Sequence, residues 1–76
     1  MRRVYIITGA NGHLGNTLIR MLRKTEVEIR GLLLPTEHCK ERENTHYFHG
    51  DVRDTDTLSA LFEGLSDAEV IVIHTA

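Results

Sequence analysis

The sequence predicts an α/β fold, the N-terminal part of a doubly wound parallel sheet in the order β-α-β-β-α-β. Three observations predict it. The runs Val4–Ile7 and Val70–Ile73 are apolar without alternation, as expected of strands covered on both faces. Two apolar stripes at helical spacing lie between strand-like segments. A glycine turn, Gly9-Ala10-Asn11-Gly12-His13-Leu14-Gly15, joins the first run directly to the first stripe.

Residues 3–7 read as a buried strand. Leu14, Leu18, Met21 and Leu22 then fall at i, i+4, i+7 and i+8, one face of a helix that ends near Thr25. Arg23 and Lys24 in its last turn complement the helix dipole. Val27–Leu34 reads as a second strand, with Gly31 marking a bulge or a close backbone approach and Pro35 ending it. The charge-dense segment 36–45 has no stripe and reads as a solvated surface loop. His46–His49 is a short third strand. Asp54 is the expected N-cap of a second helix, whose stripe is Leu58, Leu61, Phe62 and Leu65 and whose end Gly64 helps set. Glu69–His74 is the fourth strand. It is followed at once by Thr75 and Ala76, so the expectation is one partial domain over residues 1–76 with a bare apolar edge strand, open to pairing with a second copy.

Composition narrows the classes of function. Seventy-six residues make one small domain that buries only about 60% of its unfolded surface. The net charge of −2 and the scattered basic residues argue against a nucleic-acid partner. No apolar run approaches the roughly 18 residues of a membrane span, so no membrane partner is expected. Arg2-Arg3 could open an export signal, but the four-residue apolar run after it is shorter than the roughly 7–15 such a signal needs. The single cysteine, Cys39, suits a reducing, cytoplasmic location and reads as an ordinary loop thiol. His46 and His49 point to opposite faces of a strand and His38-Cys39 has no further thiol, so no metal site is expected.

The glycine turn carries the chemistry. A diphosphate is best held by the free N–H groups at a helix N-terminus, here those of His13 and Leu14. Gly9 permits the sharp turn after the strand, Gly12 removes a side chain from the diphosphate position, and Gly15 lets the helix pack closely on the strand. A nucleoside-triphosphate loop would need Gly-Lys-Ser/Thr at the helix start, and here Gly12 is followed by His13.

Thr8-Gly9-Ala10-Asn11-Gly12-His13-Leu14-Gly15 resembles the Thr-Gly-x-x-Gly-x-x-Gly fingerprint of the short-chain dehydrogenase/reductase superfamily. It looks most like the extended branch, the NAD-dependent epimerase/dehydratase and dihydroflavonol-reductase-like proteins. Gly50-Asp51-Val52-Arg53-Asp54 is similar to the Gly-Asp-x-x-Asp motif that follows the third strand, and His74-Thr75-Ala76 to the start of the motif that ends the fourth. The resemblance implies a Rossmann-like fold holding NAD, with NADP as the other form. It places Gly9, Asn11, Gly12, His13, Leu14, Gly15, Leu33, Asp51, Val52, Thr75 and Ala76 around the cofactor, Asp51 meeting the adenine amino group. The alternative for Asp51 is a turn residue bonding its own backbone.

An acidic residue about 20 positions past the glycines would bind the ribose hydroxyls of NAD, and an arginine would suit a 2′-phosphate. Leu33, Leu34 and Pro35 supply neither, Glu37 is the nearest acid and Lys40 the nearest base, and the lack of an arginine favours NAD. The resemblance also implies a catalytic Tyr-x-x-x-Lys. The sequence has none, since Gly9 stands four after Tyr5 and Asp51 four after Tyr47. The expectation is therefore the cofactor-binding portion of an oxidoreductase or epimerase of a sugar nucleotide, ketone or alcohol, without turnover by itself. A non-catalytic dinucleotide-binding module and a self-associating inactive fragment are the alternatives.

Overall fold

The structure, a computed structural model, describes residues 2–75. The elements run β1 (Arg2–Thr8), α1 (His13–Leu22), β2 (Glu28–Leu33), β3 (Thr45–His49), α2 (Thr55–Phe62) and β4 (Ala68–His74). The four strands are parallel and lie in the order β3-β2-β1-β4. β1 pairs along its whole length with β4, from Arg2 opposite Ala68 to Thr8 opposite His74. After β1 the chain moves to one side of it through β2 and β3, then returns to the other side as β4. That reversal opens a crevice at the carboxyl ends of β1 and β4, where sheets of this kind bind ligands.

Strand alternation divides the core into two layers. Val4, Ile6, Leu32, Leu61 and Leu65 are buried together under α2, with Phe48, Ala68 and Val70 packed against them. Ile7, Ala10, Ile19, Ile29 and Leu33 form the layer under α1, with Leu18, Leu22, Tyr47 and Ile73 at its margin. Ile6, Ile7, Ile19, Ile29, Leu33 and Leu61 are almost completely buried. Truncating any one of these side chains to alanine costs about 2–5 kcal/mol.

The helix faces differ from the stripes expected. On α1, Leu14 and Met21 are exposed, and the inward positions are Gly15 and Ile19 with Leu18 and Leu22 beside them. A β-carbon at Gly15 would stand 2.2 Å from the Gly9 carbonyl oxygen and 3.0 Å from the Ala10 Cα. Contact with the backbone of the turn therefore requires glycine at the inward position and rotates Leu14 outward. On α2, Leu58 and Phe62 are exposed while Thr57 and Leu61 are buried. Gly50 sets that rotation, because a β-carbon there would meet Thr57 Oγ1 at 2.2 Å.

The ends of the helices are settled by polar groups. Asp54 is the N-cap of α2, accepting from the Asp56 N–H at 3.0 Å. Arg30, rising from β2, donates from Nη1 to the Leu61 and Glu63 carbonyls at 2.8 Å each. A cation thus satisfies carbonyls at the C-terminal end of α2, where the dipole favours it. Its Nε also meets Glu28 at 3.1 Å, and its guanidinium lies 5.9 Å from the Phe48 ring centre. α1 ends at Leu22, three residues before the expected Thr25; the Lys24 and Thr25 N–H groups continue as a turn onto Met21 and Leu22. Gly31 marks close approach, with the Tyr47 ring and the Ala10 methyl filling the space of the side chain it lacks.

The loop after β2 is exposed but not free. The Glu37 carboxylate accepts from the Leu34 N–H at 2.9 Å, and the Glu37 carbonyl accepts from His49 Nε2 at 2.7 Å. Farther on, Glu41 accepts from the Tyr47 N–H at 3.1 Å. Cys39, expected as an ordinary loop thiol, is half-buried against the layer under α1. Burial and the nearby Glu37 carboxylate push its thiol pKa up.

Candidate functional site

The turn after β1 is built by backbone sterics. Gly9 has φ +64°, a left-handed conformation that side chains disfavour. A β-carbon there would also lie 2.3 Å from the Thr75 carbonyl oxygen. The ends of β1 and β4 are tied together at this point. Thr8 Oγ1 lies 2.6 Å from His74 Nδ1 and accepts from the Thr75 N–H at 3.2 Å, while the Thr75 hydroxyl donates to the Thr8 carbonyl.

Gly12 is the N-cap of α1 and offers no side-chain cap. Its own N–H donates to the Gly9 carbonyl at 2.9 Å, and its carbonyl accepts from Asn16. Among the described residues, the N–H groups of His13, Leu14 and Gly15 have no protein acceptor. No acidic residue stands in the first turn of α1, whereas α2 carries both a capping Asp54 and Asp56. Three aimed donors and the positive end of the helix dipole make this an anion-binding end.

A cleft of about 400 Å³ opens at this end, lined by Gly9, Gly12, His13, Leu14, Leu32, Leu33, Leu34, Glu37, Gly50, Asp51, Val52 and Thr75. Its size falls within the range of small-molecule and cofactor sites. Eight of the eleven residues singled out from the sequence thus line one space. Gly15 lies behind the turn, in contact with it, and Asn11 stands beside the cleft without lining it. Ala76 is outside the described residues. Glu37, Leu34, Leu32 and Gly50 were not in that set. The signal for Glu37 was its place as the nearest acid past β2, and Gly50 precedes Asp51 in the motif already quoted.

Two carboxylates, Glu37 and Asp51, stand in the lining and no lysine or arginine does. Asp51 is held by Arg53. Its Oδ1 accepts from the Arg53 backbone N–H at 2.8 Å, and Oδ2 accepts from Nη2 at 2.8 Å. The turn geometry and the pocket position therefore coexist in one residue. Arg53 Nε is shared between Oδ1 at 3.1 Å and Oδ2 at 3.3 Å, so an outside donor to Asp51 would take the place of this weaker, shared contact. The Arg53 hydrogen bonds lower the Asp51 pKa to about 2. Because that lies below the unfolded value, the pair stabilises the fold above about pH 4 and its contribution is lost as pH falls towards 2. Arg53→Ala removes the guanidinium but keeps the backbone N–H, so the Asp51 titration is expected to move up part of the way towards the ordinary value of about 3.9, read by carbon-13 NMR of the side-chain carboxyls. A midpoint still near 2 in that variant would contradict the assignment to Arg53.

Among the described residues no group of three or more His, Cys, Asp or Glu side chains converges as metal ligands. The His38 and His49 rings do meet, 5.6 Å apart and tilted, outside the cleft lining. No described helix is long and apolar enough to cross a membrane.

A parallel β3-β2-β1-β4 sheet with an uncapped glycine turn at its reversal point is a Rossmann-like α/β unit. The profile of the NAD dependent epimerase/dehydratase family matches residues 5–76, and the chain belongs to that family. Membership implies a nicotinamide dinucleotide cofactor. In fold the chain is similar to a protein from Burkholderia cenocepacia J2315, provisionally described as an epimerase, whose crystal structure superposes with a TM-score of 0.68 at 22% identity. The match covers 99% of this chain and 25% of the other, so this chain spans about a quarter of that structure's length. No curated protein matches it.

Proposed function

We propose that residues 1–76 form a partial dinucleotide-binding domain that holds NAD in the cleft, the cofactor-binding portion of an oxidoreductase or epimerase. The observation that carries this reading is the uncapped start of α1 opening into the cleft, with Asp51 also in its lining. The His13 and Leu14 N–H groups would take the diphosphate, and Gly12 leaves the space it needs. Asp51 would accept from the adenine amino group, with Gly9, Leu33, Val52 and Thr75 as walls. Two carboxylates and no cation in the lining favour the free 2′-hydroxyl of NAD over the 2′-phosphate of NADP.

The bound nicotinamide would supply hydride transfer. What these residues do is bind and orient it. A sugar nucleotide, ketone or alcohol is the proposed substrate class of the whole protein, and the cytoplasm its proposed location. The sequence has no Tyr-x-x-x-Lys, so the 76-residue chain is proposed to bind without turnover. Titrating it calorimetrically with NAD and NADP tests the reading: saturable binding with NAD the tighter is expected, and no heat with either contradicts it. Asp51→Ala should weaken NAD by about five- to tenfold, the worth of one hydrogen bond. An unchanged affinity would leave Asp51 as a turn residue only.

A second reading is self-association through β4. That strand is the outer neighbour of β1, and Val72 on it is 53% exposed. Sedimentation of the same sample tests this, a monomer at all concentrations being the adverse result.

A further inference from the structure

Asn11 is the turn residue whose side chain reaches the loop after β2. Its Nδ2 donates to Glu37 Oε2 at 3.5 Å, and its Oδ1 accepts from the Cys39 thiol at 3.3 Å. Asn16, one turn into α1, donates to the Asn11 carbonyl at 3.2 Å and steadies it from below. Along the loop, Glu37 and Cys39 are half-buried, while residues 34–36, 38 and 40 are exposed. Glu37 and Cys39 therefore form the inner side of the loop, and Glu37 is also part of the cleft wall. The other polar ties of this loop run to β3, to β2 through the Asn44 carbonyl, or to its own start through the Leu34 N–H. Among the described residues, its polar ties to the glycine turn both pass through Asn11.

We infer that Asn11 is a positioning residue that latches the 34–44 loop to the glycine turn, so that a dinucleotide on the turn and the closed loop stabilise each other. The inference rests on the cofactor site proposed above. An amide suits the position because it offers a donor and an acceptor at once. The Glu37 carboxylate can only accept, and the Cys39 thiol donates. The isosteric Asn11→Asp would keep the acceptor for Cys39 but set a second carboxylate against Glu37, and like charges at that distance repel. A ligand that favours the closed loop must, by linkage, bind less tightly when the latch is broken.

Cys39 is the single cysteine of the chain, so its alkylation by iodoacetamide reports the loop directly. Its rate is compared with and without saturating NAD at fixed pH, beside the NAD dissociation constant. In the unaltered chain NAD is expected to slow alkylation several-fold. N11D should weaken NAD by about tenfold, the loss of one hydrogen bond plus a repulsion, and remove the protection. The double variant N11D/E37Q should restore both, because the glutamine amide at position 37 can donate to the new carboxylate while its oxygen still accepts from the Leu34 N–H. A residue with a merely structural role would not be rescued in this way. If N11D loses its circular-dichroism signature, Glu37→Ala, which leaves the turn intact, is expected to fold, to weaken NAD and to lose the protection. NAD binding and protection unchanged in N11D, or in E37A where N11D does not fold, would overturn the latch and leave the site reading standing. A chain that binds no NAD at all would overturn both.

Discussion

Gly15→Ala is expected to destabilise the domain severely, although alanine is the better helix former. In the middle of a helix the exchange alone would add about 1 kcal/mol of stability. Here the new β-carbon would lie 2.2 Å from the Gly9 carbonyl oxygen and 3.0 Å from both the Gly9 carbonyl carbon and the Ala10 Cα. All three atoms are backbone of a turn that is itself fixed against Thr75. No rotamer change can relieve that contact. α1 must move off β1, and Ile19, Leu18 and Leu22 lose part of their packing in the layer beneath it. Overpacking of this kind costs about 1–3 kcal/mol or more, and lifting a helix from its layer adds to it. With a total stability of order 0.05–0.15 kcal/mol per residue, a net loss of about 2 kcal/mol is a large share. The thermal midpoint should fall by about 10 °C. A rise, as helix propensity alone requires, would contradict the close approach of α1 to the turn.

Gly12→Val is expected to do the opposite, removing cofactor binding while the fold survives. Gly12 has φ −75° and ψ 168°, extended values that valine adopts without strain. A β-carbon would approach the Gly9 carbonyl oxygen at 3.2 Å, a tight contact that a shift of a few tenths of an ångström relieves. The expected cost to stability is about 1 kcal/mol, that of a poor N-cap. The branched methyl groups would project over the free His13 and Leu14 N–H groups, where the diphosphate must lie within hydrogen-bond distance. Binding of NAD should become undetectable by calorimetry while the urea midpoint moves little. Affinity equal to that of the unaltered chain would sink the assignment of this turn to the diphosphate.

The contrast between these two glycines shows what could be read from the sequence. The order of strands and helices was legible because unbroken apolar runs and stripes of about 3.6-residue period are local signals. So was the glycine turn, since its meaning depends on a strand before it and a helix after it, and both were visible. The exact face of each helix was not. Around α1 the residues Leu14, Leu18 and Met21 make one apolar stripe and Gly15, Ile19 and Leu22 make another, one position round. Hydrophobicity alone prefers the first. The second is the one that meets the sheet, because the helix approaches closely enough to need glycine there. α2 repeats the lesson: Thr57 rather than Leu58 turns inward, into the space that Gly50 leaves.

Polar contacts at long separation were equally hidden. Arg30 satisfies carbonyls at the end of α2 more than thirty positions away, and nothing in a β-strand pattern announces such a role. The loop after β2 shows only charge density in sequence, which fits a solvated segment as well as a tethered one. Its inward side emerges from the placement of Glu37 and Cys39 against Asn11. That is also why Glu37 stood outside the set of expected cofactor residues while Leu33, on the strand itself, stood within it. Asp51 was assignable from its motif, yet its pairing with Arg53 shows that a turn residue and a cleft residue can be the same one.

The central claim is that a dinucleotide diphosphate sits on the free N–H groups at the start of α1. Proton–nitrogen correlation NMR of the 76-residue chain, titrated with NAD, tests it most directly. The backbone amides of Gly12, His13, Leu14 and Gly15 are expected to shift first and furthest, followed by Asp51 and Val52 in the same cleft lining. Saturable shifts confined to other parts of the chain, with these amides unmoved, would contradict it.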